Sequence, residues 1–222
     1  MSGIEQSMAR YYAARASEYD RVYQKPERQA DIERLRQELP PLFAGARVLE
    51  VACGTGYWTQ FIAHAAKEVV ALDLSRETLA IATRRAPRKV SFVAGDAYCL
   101  PVRAMSFGAA FVGFWLSHVP LERRRNFLLG LHAVLRPGAT VVMVDNLYVE
   151  GSNHPTTERD ERGDTYQHRK LDDGSTHRVL KNFPTQAELL GLVETVGTRT
   201  VYRPLDYYWV FQYVVSDVVA SV

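Results

Sequence analysis

Cysteine is nearly absent from this chain of 222 residues, with only Cys53 and Cys99 present. Two thiols, one of them inside a glycine turn, exclude a disulfide scaffold. No apolar leader stands at Met1-Ser2-Gly3-Ile4-Glu5-Gln6, so a reducing, cytoplasmic setting is expected. Charge of one sign is lacking too. Lys and Arg number 27 against 25 Asp and Glu, too small an excess to argue for a nucleic-acid partner. Apolar runs long enough to span a bilayer are missing, which excludes a membrane-spanning helix. Neither internal repeats nor low-complexity tracts occur. What the chain does have is 47% apolar residues, enough for one domain, 1–222, with a substantial core.

Periodicity divides that domain into four parts. Over 1–40, Met8, Tyr11, Tyr12, Arg15 and Tyr19 recur at helical spacing within Glu5 to Gln24, and a second helix is predicted over Glu27 to Leu39, stopped by Pro40-Pro41. Over 41–146, strand-like runs (Arg47–Ala52, Glu68–Leu72, Val90–Ala94, Ala109–Gly113, Thr140–Val144) alternate with helical stretches (Trp58–Ala65, Ser75–Arg85, Leu121–Leu135). Such alternation predicts an α/β fold with a doubly wound, mostly parallel sheet. Over 147–182 the rhythm breaks into a polar, His- and Arg-rich insertion with Asp172-Asp173-Gly174-Ser175 as a hairpin turn. In 183–222, Thr185-Gln186-Ala187-Glu188 reads as a capping box for a last helix, followed by strands at Thr198–Arg203 and Trp209–Val215. The aromatic tail Tyr207–Phe211 reads as a buried strand in preference to a dimer seam. The oligomeric state stays open.

The most informative stretch is Val48-Leu49-Glu50-Val51-Ala52-Cys53-Gly54-Thr55-Gly56-Tyr57-Trp58-Thr59. A strand ends near an acid, turns through Gly54 and Gly56, and enters a helix whose first N–H groups point into the turn. A dinucleotide site needs a third small residue and electroneutral room for pyrophosphate. Here Tyr57, Trp58 and Thr59 fill that region, and Glu50 repels phosphate while suiting a cationic ligand. Three more junctions converge at the carboxyl ends of the strands. Asp73, with Leu74 after it, is placed to accept a ribose diol, or else is a helix-start acid beside the Ser75 cap. Asp96 and the Ala97 N–H suit an adenine edge, or else Asp96 satisfies its own turn. Phe114, Trp115 and His118 follow the fourth strand, where backbone carbonyls can hold an ammonium while Trp115 and His118 face the ligand.

Glu50, Gly54, Gly56, Asp73 and Asp96, in this order and spacing, resemble the first motifs of the class I S-adenosylmethionine-dependent methyltransferases. The stretches Tyr11–Asp20, Gly54–Thr59, Trp115–Pro120 and Leu171–Gly174 are similar to one small-molecule subgroup of that family, which includes the phosphonate O-methyltransferase of dehydrophos biosynthesis. The resemblance departs at Cys53 and over much of Asn146 to Tyr166. It implies a seven-stranded Rossmann-like sheet with a reversed last strand, N-terminal lid helices, and S-adenosyl-L-methionine as cofactor. Further cofactor contacts are expected from Tyr11, Arg15, Ala52, Thr55, Trp58 and Thr59. A methyl ester formed on a small acid, a phosphonate or carboxylate oxygen, is the activity that it implies.

Within the insertion, a two-residue turn at Asp173-Gly174 sets Arg169 opposite Arg178. Like charges facing each other need an anion between them, and two guanidinium forks suit acid oxygens. Lys181 and the phenols of Tyr11, Tyr12 and Tyr19 complete such a pocket if the first helix closes over it. The alternative is a solvated hairpin whose arginines pair with Asp172, Asp173, Glu158 or Asp164, and a one-residue slip also parts them. His118 is either a general base or a positioning group, because an ionised acid needs no base. The candidate catalytic set is therefore His118, Arg169, Arg178, Lys181 and Tyr19, with no metal: His154, His168 and His177 lack ligand spacing.

Other readings remain. A hydroxyl or amine acceptor would use His118 as base, and a binding module would hold the cofactor without turnover. A metal-assisted catechol-type enzyme lacks its acid after the fourth strand, and a nucleic-acid amino-methyltransferase lacks its Pro-Pro-aromatic turn.

Overall fold

The computed structural model describes residues 3–216. The chain opens with α1 (Gly3–Ala14), two short 3-10 turns (Tyr19–Tyr23 and Pro26–Arg28) and α2 (Gln29–Glu38). The alternating core follows as β1 (Arg47–Val51), α3 (Tyr57–Ala65), β2 (Glu68–Asp73), α4 (Arg76–Arg85), β3 (Val90–Ala94), β4 (Phe107–Gly113), α5 (Arg124–Val134) and β5 (Leu135–Asn146). An insertion of three strands, β6 (Glu158–Arg159), β7 (Thr165–Lys170) and β8 (Thr176–Leu180), precedes α6 (Gln186–Val193), β9 (Gly197–Pro204) and β10 (Tyr208–Val215).

Seven strands form one sheet in the order β3-β2-β1-β4-β5-β10-β9. β1 to β5 are parallel, and β10 runs antiparallel to both neighbours. The chain reverses direction across the sheet between β1 and β4, so ligands are expected beyond the carboxyl ends of those two strands. Side chains on the central strands alternate between two cores. Leu49, Val51, Ala110, Val112, Val141 and Met143 pack with Phe127 and Leu131, whereas Val48, Ala109, Phe111, Val142 and Val144 pack with Leu35, Phe43 and Ile62. Burial on both faces is why these strands are almost wholly apolar. The Thr185 capping box forms as its residues predict, and Trp209 and Phe211 are buried in the sheet.

Two local expectations are corrected. The first helix stops at Ala14 rather than running to Gln24. The bend lets Asp20 turn back onto the glycine loop, where its carboxylate accepts from Thr55 Oγ1 at 2.5 Å and pairs with Arg85. The hairpin turn contains three residues, not two. Leu171 and Ser175 close it, Gly174 sits at φ 85°, and the register sets Arg169 against His177 and Arg178 against His168. The Asp173 carboxylate holds the longer loop by accepting from the Ser175 N–H at 2.8 Å and its hydroxyl at 2.6 Å. A third loop residue with a left-handed glycine is a common hairpin closure, and it puts the two arginines on opposite faces.

Candidate active site

The glycine turn after β1 is built from left-handed backbone. Ala52, Gly54 and Gly56 have φ of 56°, 55° and 73°. Gly56 is required by packing, since a Cβ there would lie 2.9 Å from the Ala82 Cβ on α4. A Cβ on Gly54 would point at the Tyr19 ring 3.7 Å away. Asp73 braces the turn, with Oδ2 accepting from the Gly54 N–H at 2.8 Å and Oδ1 from the Ser75 N–H at 2.9 Å. It therefore serves the helix start and still borders the crevice above. Phe114, after β4, also has positive φ, at 58°. Non-glycine residues in that region cost about 1–3 kcal/mol each and concentrate where ligands bind.

Glu50 lies beneath this turn and does not reach the crevice wall. One of its carboxylate oxygens is buried without a hydrogen-bond partner, as is the Thr59 hydroxyl. Burial, with the Asp73 charge adding to it, pushes the Glu50 carboxyl up to about 8. A buried carboxyl that gives up its proton more readily when a positive charge arrives above it fits a cationic ligand and opposes a pyrophosphate.

The crevice encloses about 970 Å³ of empty space, part of it open to solvent. It brings together Ala52, Gly54, Asp73, Leu74, Asp96, Ala97, Phe114, Trp115, His118 and Tyr19. Asp96 keeps its own turn, accepting from the Tyr98 N–H at 2.9 Å. Met8, Tyr12 and Tyr98 join this wall although the sequence reading did not assign them to the cofactor. Met8 and Tyr12 stand four apart on α1, a spacing that carries that signal. Seven expected contacts do not line the crevice: Glu50 lies beneath the turn, Gly56 packs on Ala82, Arg15 faces a neighbouring space, and four lie behind the wall. Thr55 holds Asp20, Trp58 packs against Tyr23 and Phe114, Thr59 is buried in α3, and Tyr11 lies under the Arg15 and Arg169 guanidiniums.

A second chamber of about 640 Å³ adjoins the crevice. Tyr12, Tyr19, Phe114 and His118 border both spaces. Its other side chains are mostly polar, with Arg15, Lys25, Arg28, Arg169 and Lys181 among them. Arg169 is half-buried, and its fork is oriented by Gln167 Oε1 at 3.1 and 2.7 Å. Lys181 is not an unengaged clamp. Its ammonium donates to Asp145 at 2.8 Å and to Ser117 Oγ at 2.7 Å, and both partners are buried. Burial opposes the Asp145 charge, but the Lys181 ammonium outweighs it and holds that carboxyl low, at about 2.

Arg178 does not belong to this chamber. Its guanidinium makes a two-pronged pair with Glu158 at 2.8 and 2.6 Å and covers the Tyr166 ring on the outer face. The three-residue turn accounts for this, because it rotates Arg178 half a strand period away from Arg169. Among the described residues, no group of three His, Cys, Asp or Glu is placed to hold a metal ion.

His118 stands at the border of the two spaces. Its Nδ1 lies 2.6 Å from the Leu180 carbonyl, which only accepts, so that nitrogen carries the proton. Nε2 then accepts from the Tyr12 hydroxyl at 2.7 Å. Burial, followed by the charges of Lys181 and Arg169, drives the imidazolium form well below the usual histidine range. The ring is neutral at physiological pH.

A model of the methyltransferase domain family matches residues 48–138. The demethylmenaquinone methyltransferase of Renibacterium salmoninarum is 38% identical over 112 residues, 50% of this chain and 44% of that protein. The chain thus spans less than half the length of such curated relatives. The solved DhpI–SAH complex is 31% identical with a TM-score of 0.78, covering 98% of this chain and 100% of that one. A DhpI–SAM–HEP complex gives the same score and identity over 96% and 98%. That likeness runs end to end. The chain belongs to the class I S-adenosylmethionine-dependent methyltransferases and resembles DhpI.

Proposed function

We propose that this protein methylates an acid oxygen of a small anionic acceptor seated in the chamber. The carrying observation is Arg169, half-buried in the chamber wall with Arg15, while among the described residues neither has a carboxylate in ion-pair reach. A guanidinium partly withdrawn from water with no anion beside it is a ready partner for a ligand anion. The chamber cations Arg15, Lys25, Arg28, Arg169 and Lys181 all lie outside 48–138, the part matched by the family model. Relatives aligned over half the chain therefore say little about this acceptor.

Bound S-adenosylmethionine would supply an electrophilic methyl group to the acceptor oxygen, with S-adenosylhomocysteine as the leaving group that keeps the electron pair. The chain's own contribution is placement and exclusion of water. Asp73 and Asp96 orient the donor, and Glu50 compensates its positive charge. Arg169 and Arg15 hold the acceptor oxygens that are not methylated, two of a phosphonate or one of a carboxylate, and leave one directed at the crevice. Burial pushes the Tyr19 phenol up to about 12, so it remains an O–H donor. No proton has to leave an ionised acid, and the neutral, doubly bonded His118 serves to place Tyr12.

Incubation with S-adenosylmethionine and a panel of carboxylates, phosphonates, phenols and amines tests this reading by mass spectrometry. Methyl esters with stoichiometric S-adenosylhomocysteine are expected. Methylation confined to carbon, nitrogen or phenol acceptors would refute it.

A further inference from the structure

We infer that the acceptor is two-headed: one acidic group is methylated near Arg15 and Arg169, and a second is gripped by Lys25 and Arg28 at the other end of the chamber. This rests on the proposed function and names the substrate class more narrowly.

Charge count comes first. Arg15, Lys25, Arg28 and Arg169 open onto one space, and none has a carboxylate in ion-pair reach among the described residues. The nearby acids are already engaged. Asp145 is held by Lys181, and exposed Glu27 accepts from Ser152 Oγ at 2.7 Å. One carboxylate in the chamber would leave most of that charge unmatched, and like charges at close quarters destabilise the fold.

Geography separates the cations into two ends. Arg15 lies over the Tyr19 ring at 5.2 Å, and Arg169 over Tyr11 at 6.0 Å, on the side shared with the crevice. Arg28 lies over Tyr207 at 5.3 Å and Tyr208 at 5.5 Å. Its Nε donates to Ser152 Oγ at 2.9 Å and its NH1 to Asn146 Oδ1 at 2.9 Å, which fixes the plane of the fork. Lys25 donates to the Ser152 carbonyl beside it. Between the two ends stands His154, whose carbonyl accepts from Gln167 Nε2 at 2.6 Å. Gln167 also orients Arg169, so one side chain links Arg169 to the His154 backbone. Burial, then Arg169, Lys25 and Arg15, bring the His154 imidazolium down to about 4, the response of a neutral ring ringed by cations. The empty volume exceeds what one acid group fills and suits a small molecule acidic at both ends.

The experiment compares matched acceptors, methylphosphonate against 3-phosphonopropionate and propionate against succinate, by kcat/KM for S-adenosylhomocysteine release. The native protein is expected to prefer the two-headed member at least tenfold, and Lys25→Met to reduce that ratio at least tenfold. Ser152→Ala, which loosens Arg28 without removing a charge, is expected to reduce it less. Calorimetric binding of S-adenosylhomocysteine verifies that each variant is folded. Single-headed acids used as well as two-headed ones, or a ratio unmoved by Lys25→Met, would overturn the inference and leave the proposed function standing. Failure of every acid would overturn both.

Discussion

The Tyr12 hydroxyl lies 2.7 Å from Nε2 of His118, across 106 positions of the chain, and the far nitrogen of the ring is spent on the Leu180 carbonyl. The imidazole is thereby fixed in one tautomer and shielded from solvent. Because its pKa is lowered by burial and neighbouring cations, the ring stays neutral as pH rises from 6 to 8. With an acid acceptor, kcat/KM is expected to be flat across that interval. A limb near pH 6.5 that disappears in His118→Asn would show that the ring titrates during turnover.

Arg169 and Arg178 lie nine residues apart on one hairpin and are expected to behave oppositely. Removing a charge-assisted hydrogen bond costs about 1.5–3 kcal/mol. Arg169→Ala should therefore lower kcat/KM for the acceptor by about 10- to 100-fold, with S-adenosylhomocysteine affinity nearly unchanged. Arg178→Ala removes a half-exposed, solvent-screened pair with Glu158, which contributes little to stability, and should turn over normally. Equal kinetic losses in both would contradict the register.

Glu50 couples stability to the cofactor. Its carboxyl is raised by burial to about 8 from an ordinary value of 4.5, so the folded state retains a proton that the unfolded state has released between those values. Stability therefore falls as pH climbs through that window. Glu50→Gln is expected to raise the melting temperature of the cofactor-free protein at pH 9 and to change it little at pH 5. The same variant should weaken S-adenosylmethionine binding, because it removes the ionisable carboxyl that faces the cofactor's positive charge from beneath the turn. A cofactor affinity equal to that of the unmodified protein would remove Glu50 from the site.

The cofactor half of the site was legible because its signals are local. An acid in an apolar strand, two glycines at a strand–helix turn, and acids ending the next strands are each written within a few residues. Roles inside the turn were less legible. Whether Gly56 yields to a ligand or to Ala82 depends on how α4 packs, and Thr55 turned out to anchor Asp20. The chamber was hardest to read, since it joins Arg28, Ser152, Arg169 and Lys181 from distant segments. Its decisive ambiguity was a single loop residue, with Arg169 turned inward and Arg178 outward. Arg28 gave no signal at all, as a helix-flanking arginine is usually solvated.

Tyr12, Tyr19, Phe114 and His118 form a party wall between two rooms. A partition read from both sides is hard to remodel for one tenant without disturbing the other. Change is cheaper on the far side, where Lys25, Arg28, Ser152, Asn153 and His154 touch only the second room. Acceptor preference can thus drift across related proteins by exchanging those outlying side chains, while the donor's lodging stays as it is.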